Sequence, residues 1–224
     1  MIPLAIVIDF DGTVTERDIG DAIVKRFGLA GWDALEEKFQ RGETTIRQLW
    51  EQEISRLPGD RLDEMTRFGL ETAKVRPGLR ELVGYAREHG IAIEIASNGI
   101  EFYVKTILGA NGLAGLPYVC LDADLGPGRQ ARLLLPDGLT SCYRNGLCKC
   151  ARVWRFQRQG RRVMFIGDGA SDACVASQPD ILIARSSLAS MAERNGWPFI
   201  PFEDFRDVLA EVKRIVTGQD GQTR

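Results

Sequence analysis

Five stretches of this chain are apolar from end to end rather than in alternation: LAIVIDF (4–10), IAIEIAS (91–97), PYVCL (117–121), VMFIGDG (163–169) and DILIA (180–184). A half-exposed strand alternates apolar and polar residues. A continuous run needs cover on both faces, as in a parallel sheet flanked by helices. Helical patterns lie between the runs. One starts at Pro77, a residue suited to a first helical turn, and ends at Gly90; others cover 101–109 and 149–159, and EDFRDVLAEVKRIV comes last. Strand–helix alternation of this kind predicts an α/β fold with a doubly wound parallel sheet.

The alternation breaks once. After the first strand, DIGDAIVKRFG, GWDALEEKFQRG, TTIRQLWEQEISRL and DRLDEMTRFGLETA read as amphipathic helices, with no strand signal between them. This is too long for a single crossover. We expect a small helical cap at residues 16–74, a core made of 1–15 and 75–218, and a frayed tail at 219–224. A second irregular patch, 122–148, contains GPGRQARLLLPDG, read as a hairpin, and SCYRNGLCKC.

Composition narrows the function. With 29 basic and 31 acidic residues the net charge is -2, so neither a nucleic-acid footprint nor a polybasic membrane anchor is indicated. No apolar run approaches the length of a membrane span, and no basic residue precedes the apolar N-terminus, so a cytoplasmic protein, monomer or homodimer, is expected. Five cysteines, an odd number, argue against a disulfide framework. Cys142, Cys148 and Cys150, with Cys120, form a candidate Zn²⁺ set, against burial as small hydrophobes. Cys174 is expected in the core at a helix start, and Trp32, Trp50, Trp154 and Trp197 are expected to pack helices. Phe102 and Tyr103 are read as core rather than pocket. The single histidine, His89, sits beside Gly90 as a helix C-terminal cap. With no nucleophile motif to recruit it, chemistry here falls to carboxylates.

In an open parallel sheet, ligands bind beyond the carboxyl ends of the strands. Those ends supply Asp9 and Asp11, then Ser97, Asn98 and Gly99, then Asp168 and Asp172; Lys149 opens the helix before the fourth strand. Several carboxylates at one edge repel one another, and a hard divalent ion such as Mg²⁺ relieves this while sharing a substrate phosphate. Hydroxyls, backbone amides and a lysine suit phosphate oxygens. The set describes phosphoryl transfer, where positioning and charge stabilisation do most of the catalysis.

DFDGTVT, SNG, Lys149 and GDGASD resemble the four motifs of the haloacid dehalogenase superfamily in their order, from residue 9 to residue 172. The resemblance implies Asp9 as a nucleophile forming an aspartyl-phosphate, and Asp11 as the proton donor and acceptor. It implies Mg²⁺ held by Asp9, Asp11 through its backbone carbonyl, and Asp168. Asp172 would stand behind, through water or by holding Lys149. Thr13, Ser97, Asn98, Gly99 and Lys149 are expected around the phosphate, with Arg152 a candidate substitute for the charge of Lys149.

An acid at position 11 fits the phosphatases and phosphomutases of that superfamily, and the helical insertion resembles the cap of its phosphoserine-phosphatase-like branch. That branch usually places Glu where Asp18 stands; Asp18 reads either as a substrate contact or as an N-cap answered by Asp21. A closer resemblance, carried by DFDGTVTERD, SNGIEFYVKTIL and SCYRNGLCKC, is to phosphatases of the methionine-salvage enol phosphate. The function expected is Mg²⁺-dependent hydrolysis of a small phosphomonoester. Alternatives are a phosphoserine phosphatase, a phosphotransferase or phosphomutase, a phospho-accepting signalling domain, and a metabolite-binding protein that keeps the fold without the chemistry.

Overall fold

The structure, a computed structural model, describes residues 3–28, 31–126, 130–135, 141–142 and 144–218. The chain opens with β1 (Leu4–Ile8), a tight turn over Phe10–Val14, and four helices: α1 (Ile19–Phe27), α2 (Trp32–Gln40), α3 (Ile46–Ile54) and α4 (Leu62–Thr72). It continues through α5 (Leu79–Glu88), β2 (Ala92–Ile100), α6 (Glu101–Ala110), β3 (Tyr118–Asp124), β4 (Arg132–Leu134), β5 (Ser141–Cys142), β6 (Gly146–Leu147), α7 (Lys149–Arg158), β7 (Arg162–Gly167), β8 (Ile181–Ala184), α8 (Ser186–Asn195), β9 (Ile200–Pro201) and α9 (Phe205–Val216).

Seven strands form one sheet in the order β4-β3-β2-β1-β7-β8-β9. All neighbours are parallel except β4, which runs antiparallel to β3. β1 lies at the centre, and all five of its residues are buried. This is the cover on both faces that its unbroken apolar run demands. The last helix presents Phe205, Val208, Val212 and Ile215 inward. Among the described residues, no helix is long and apolar enough to cross a membrane.

Three local details differ from the sequence reading. The edge strands β4 and β9 span three and two residues, too short to leave a periodic signal. Arg132–Leu134 of the expected hairpin pairs with β3, while its 127–129 and 136–138 segments and the 219–224 tail lie outside the described residues. Pro77 precedes its helix rather than opening it, because Gly78 turns the chain at φ 86° and the helix starts at Leu79. His89 does close that helix, with its Nδ1 2.9 Å from the carbonyl of Tyr85.

The four inserted helices leave and rejoin the core at one point. Thr15 bridges Val75, Glu16 N–H donates to Lys74 O at 2.9 Å, and Arg76 N–H donates to Val14 O at 2.9 Å. α3 begins with Thr45, whose hydroxyl accepts from Gln48 N–H at 3.2 Å while Gln48 answers through its side chain, a capping box that fixes where this helix starts.

Ile6 is fully buried at the centre of β1. Truncation there leaves a cavity that flanking strands on both sides cannot close. Ile6→Ala is expected to lower unfolding stability by about 3 kcal/mol. A denaturant titration with unchanged slope and a lower midpoint is the readout.

Candidate active site

The turn after β1 brings two acids to one place by different routes. Asp9 continues the sheet, its N–H donating to Ile166 O on β7 at 2.9 Å. The backbone then bends sharply at Gly12, φ 77°, where any side chain would run into the Asp168 carboxylate. Only glycine permits this approach. Asp11 is thereby turned toward the insertion. Its Oδ1 accepts from Ile19 N–H at the start of α1, and its Oδ2 accepts from the Tyr103 hydroxyl on α6, both at 2.9 Å. Gly99 lies against the same Tyr103 hydroxyl and Asp11 oxygen, leaving no room for a Cβ.

At the end of β7, Asp168 accepts from the Thr13 hydroxyl at 3.2 Å. Asp172 accepts from the N–H groups of Asp168 at 3.0 Å and Gly169 at 3.3 Å, closing the turn between them. Asp9, Asp168 and Asp172 place carboxylate oxygens within 4.8 Å of one another. Lys149 sits fully buried behind them. Its Nζ donates to Asp9 Oδ1 at 2.5 Å, Asp172 Oδ1 at 2.6 Å and Ser171 Oγ at 3.1 Å.

The charges explain the titration of these groups. Burial raises Asp9 well above the usual carboxylate range; the charge of Asp172 adds to the effect, and Lys149 offsets part of it. Burial, then Asp172, pushes Asp168 up to about 6. For Lys149, burial disfavours the ammonium, yet Asp172 and Asp9 outweigh it and hold the group above the ordinary lysine value. Three carboxylates against one ammonium leave two negative charges unbalanced, and the donors are all hard oxygens. That combination fits one Mg²⁺ ion. Burial likewise pushes Asp11 to about 7, its hydrogen bond from Ile19 restraining the rise.

Beside the carboxylates, β2 loses its pairing with β3 between Ala96 and Ile100. Ser97, Asn98 and Gly99 occupy that lapse, inside a strand that runs on to Ile100 rather than ending at Ser97. Ser97 Oγ accepts from Gly99 N–H at 2.8 Å, leaving its own hydrogen to donate. Asn98 Oδ1 accepts from Leu147 N–H at 3.0 Å. All three residues line a cavity of about 370 Å³ between the strand ends and the insertion. Asp9, Asp11 and Asp168 form its floor, and Phe39, Ile46, Leu49, Trp50 and Glu53 come from the inserted helices.

Several expectations are corrected. Thr13 is fully buried, outside the cavity lining, and spends its hydroxyl on Asp168 rather than facing a phosphate. Arg152 does not stand in for Lys149; one turn further along α7, it pairs with Glu94 of β2 at 2.6 and 2.8 Å. Among the described residues, Cys120, Cys142, Cys148 and Cys150 do not gather as a metal-ligating group; the group that does is the three aspartates. Cys150 Sγ donates instead to the carbonyl of Cys174 at 3.3 Å, and Cys174 is exposed in a turn rather than buried at a helix start. Trp154 is 43% exposed, and Trp50 lines the cavity. Asp18 does cap α1, accepting from Asp21 N–H at 2.7 Å, and lines the cavity as well.

Sequence reasoning missed Arg185, Ser171 and Glu53, and it read Tyr103 as core, which its burial bears out, without foreseeing its hydrogen bond to Asp11. Arg185 directly follows β8, so the strand-end rule had already marked its position. Ser171 sits inside GDGASD between the two aspartates, and Glu53 carries no local signal. Glu53 is 3% exposed, and burial, followed by the charges of Asp21, Glu36 and Asp18, pushes it up to about 8.

Comparison with known proteins agrees with this geometry. The model of the haloacid dehalogenase-like hydrolase family matches residues 6–177. A 2-hydroxy-3-keto-5-methylthiopentenyl-1-phosphate phosphatase of Brevibacillus brevis is 32% identical over 214 residues, covering 95% of this chain and 96% of that one. The protein of the same name from Geobacillus thermodenitrificans is 31% identical over the same shares. Among solved structures, a phosphoserine phosphatase holding a phospho-aspartyl intermediate analogue superposes with a TM-score of 0.67 at 18% identity, covering 94% of this chain and 98% of that one. A probable phosphoserine phosphatase of Vibrio cholerae reaches 0.71 at 18% identity over 99% and 67%.

The Glu53 carboxyl makes a signed stability prediction. Below the unfolded-state value near 4.5 it is protonated in both states and contributes no penalty. Between that value and about 8, the unfolded chain releases the proton and the folded chain retains it, so stability falls as pH rises. Glu53→Gln removes this loss. In thermal melts without metal, the variant should match the parent at pH 4.5 and melt several degrees higher at pH 8.5, at about 2–4 °C per kcal/mol for a domain of this size.

Proposed function

The chain belongs to the haloacid dehalogenase-like hydrolases and is a phosphatase of that family, and from that premise we propose that it hydrolyses a small phosphomonoester through Asp9, its substrate being the enol phosphate 2-hydroxy-3-keto-5-methylthiopentenyl-1-phosphate. The observation that carries the chemistry is the juxtaposition at the cavity floor: Asp9 pinned by Lys149 at 2.5 Å, with Asp11 two residues on and held separately. The choice of substrate leans on the names of relatives about 30% identical over nearly the whole chain.

Lys149 holds one oxygen of Asp9, and the other attacks phosphorus. A bond forms from Asp9 to phosphorus as the bond to the leaving oxygen breaks, and Asp11 supplies that oxygen with a proton. Asp11, now ionised, takes a proton from water, which attacks the aspartyl-phosphate, frees inorganic phosphate and restores Asp9. A carboxyl near 7 is matched to both directions of this transfer at neutral pH. Ile19 N–H and Tyr103 O–H fix its position. Ser97, Asn98 and Arg185 offer donors to the phosphoryl oxygens along the cavity wall, and Gly99, whose N–H holds Ser97 Oγ, leaves them room. Asp9, the Asp11 carbonyl and Asp168, with Asp172 behind them, would hold Mg²⁺, which would supply charge neutralisation for the phosphoryl group. The inserted helices act as a cap that excludes bulk water and meets the leaving group. The site would act on a free metabolite in the cytoplasm.

Phosphate release from a panel of phosphomonoesters, including the enol phosphate and phosphoserine, tests the proposal. Release should require Mg²⁺, stop with chelator and favour the enol phosphate. Asp9→Asn should lose at least about a thousandfold in turnover with its fold intact. Asp11→Asn should slow both half-reactions by about 10²–10⁴. Parent-like turnover by Asp9→Asn, or transfer to an added alcohol in place of water, would overturn it.

A further inference from the structure

Buried polar atoms without a partner are uncommon, and each calls for a reason. Among the described residues four side-chain atoms stand in this condition: Glu53 Oε1, Asn98 Nδ2, Arg155 Nε and Arg185 Nε. Arg155 belongs to the Glu94 ion pair, remote from the cavity lining. The other three all line the cavity. They also divide by chemistry. Asn98, in the pairing lapse of β2, and Arg185, just past β8, are donors suited to an anionic phosphoryl group. Glu53 is an acceptor, and it comes from α3, on the insertion.

We infer that Glu53 reads the leaving group, and that the substrate is a phosphomonoester whose alcohol portion carries a hydrogen-bond donor, a hydroxyl or an ammonium, and no carboxylate. This rests on the phosphatase reading of the site and narrows it. Glu53 is 3% exposed, in a wall built with Ile46, Leu49 and Trp50. In such surroundings an unmet acceptor is costly, and a donor that meets it gains more than it would in water. A substrate carboxylate would meet Asp18, Asp21 and Glu36 as well, all lining the same cavity. Of the cations around these acids, Lys25 is committed to Asp21 at 2.8 Å and Arg76 to the carbonyls of Thr13 and Gly12 at 3.0 Å, Arg185 stands on the phosphoryl side, and Arg17 lies at the exposed rim of the cavity.

The test separates recognition from chemistry. Calorimetry with Asp9→Asn protein and Mg²⁺ would measure binding of 2-aminoethyl phosphate, 2-hydroxyethyl phosphate, propyl phosphate and phosphoglycolate. At least one donor-bearing compound should bind about tenfold or more tighter than propyl phosphate and phosphoglycolate. A second substitution, Glu53→Leu, should bring it level with propyl phosphate, whose own affinity stays the same. Glu53→Lys should turn the preference toward phosphoglycolate. Glu53→Gln, closest to the parent in shape, separates the two donors: hydroxyl binding persists, while ammonium binding drops. A donor preference that survives Glu53→Leu, or phosphoglycolate bound as tightly as the donors, would overturn the inference. Phosphate release by the chain with Asp9 intact is followed in parallel. If no compound is hydrolysed while the Glu53-dependent preference stands, the catalytic reading fails and the recognition reading holds.

Discussion

One ammonium group holds the site together. Lys149 is fully buried and reaches Asp9 at the end of β1 and Asp172 beyond β7. Without it, three carboxylates would face one another across less than 5 Å with no fixed counter-charge. With it, Asp9 is held by one oxygen and Asp172 is free to organise the β7 turn through the amides of Asp168 and Gly169. The geometry of two strand ends is thus set by a third element, the first residue of α7. Coulomb attraction across such short distances at low dielectric outweighs the cost of burying the lysine, which is why it stays charged.

A second constraint is the balance of charge between the two walls of the cavity. The floor is negative and overdrawn relative to Lys149, which suits a divalent ion and the phosphate it accompanies. The strand-end wall adds donors from Asn98 and Arg185. The insertion wall is largely the reverse: an unmet acceptor and several acids among apolar side chains, with Arg17 at the exposed rim. A molecule with an anionic end and a donor-bearing, carboxylate-free end satisfies both walls at once. The two walls keep their relation partly through the bridge between Thr15 and Val75, where the stretch carrying α1 to α4 begins and ends.

Much of this was open to reading from local pattern. The unbroken apolar runs announced a covered parallel sheet, and the central placement of β1 meets that demand. Asp9, Asp11, Asp168 and Asp172 were legible because strand ends are marked by where apolar runs stop, and ligands gather there. Ser97 to Gly99 were found by the same rule, although their strand runs on past them; a lapse in pairing, not a strand end, is what frees them. β4 and β9 left no trace because two or three residues cannot establish a period.

What the chain's order determined by itself was the sheet, the helical insertion and the acids at the strand tips, all consequences of periodicity and of where it breaks. Only the tertiary structure decided partners. Lys149 and Arg152 are three residues apart on one helix, yet one is buried against Asp9 and the other against Glu94. The Thr13 hydroxyl turned to Asp168, 155 residues away, and Tyr103 reached Asp11 across 92. Glu53 looked like one more charge on an amphipathic helix until packing buried it over the cavity. Periodicity reports which face a residue shares with its near neighbours. It carries no information about which distant group will stand opposite, and the chemistry of this site is made of those opposite pairs.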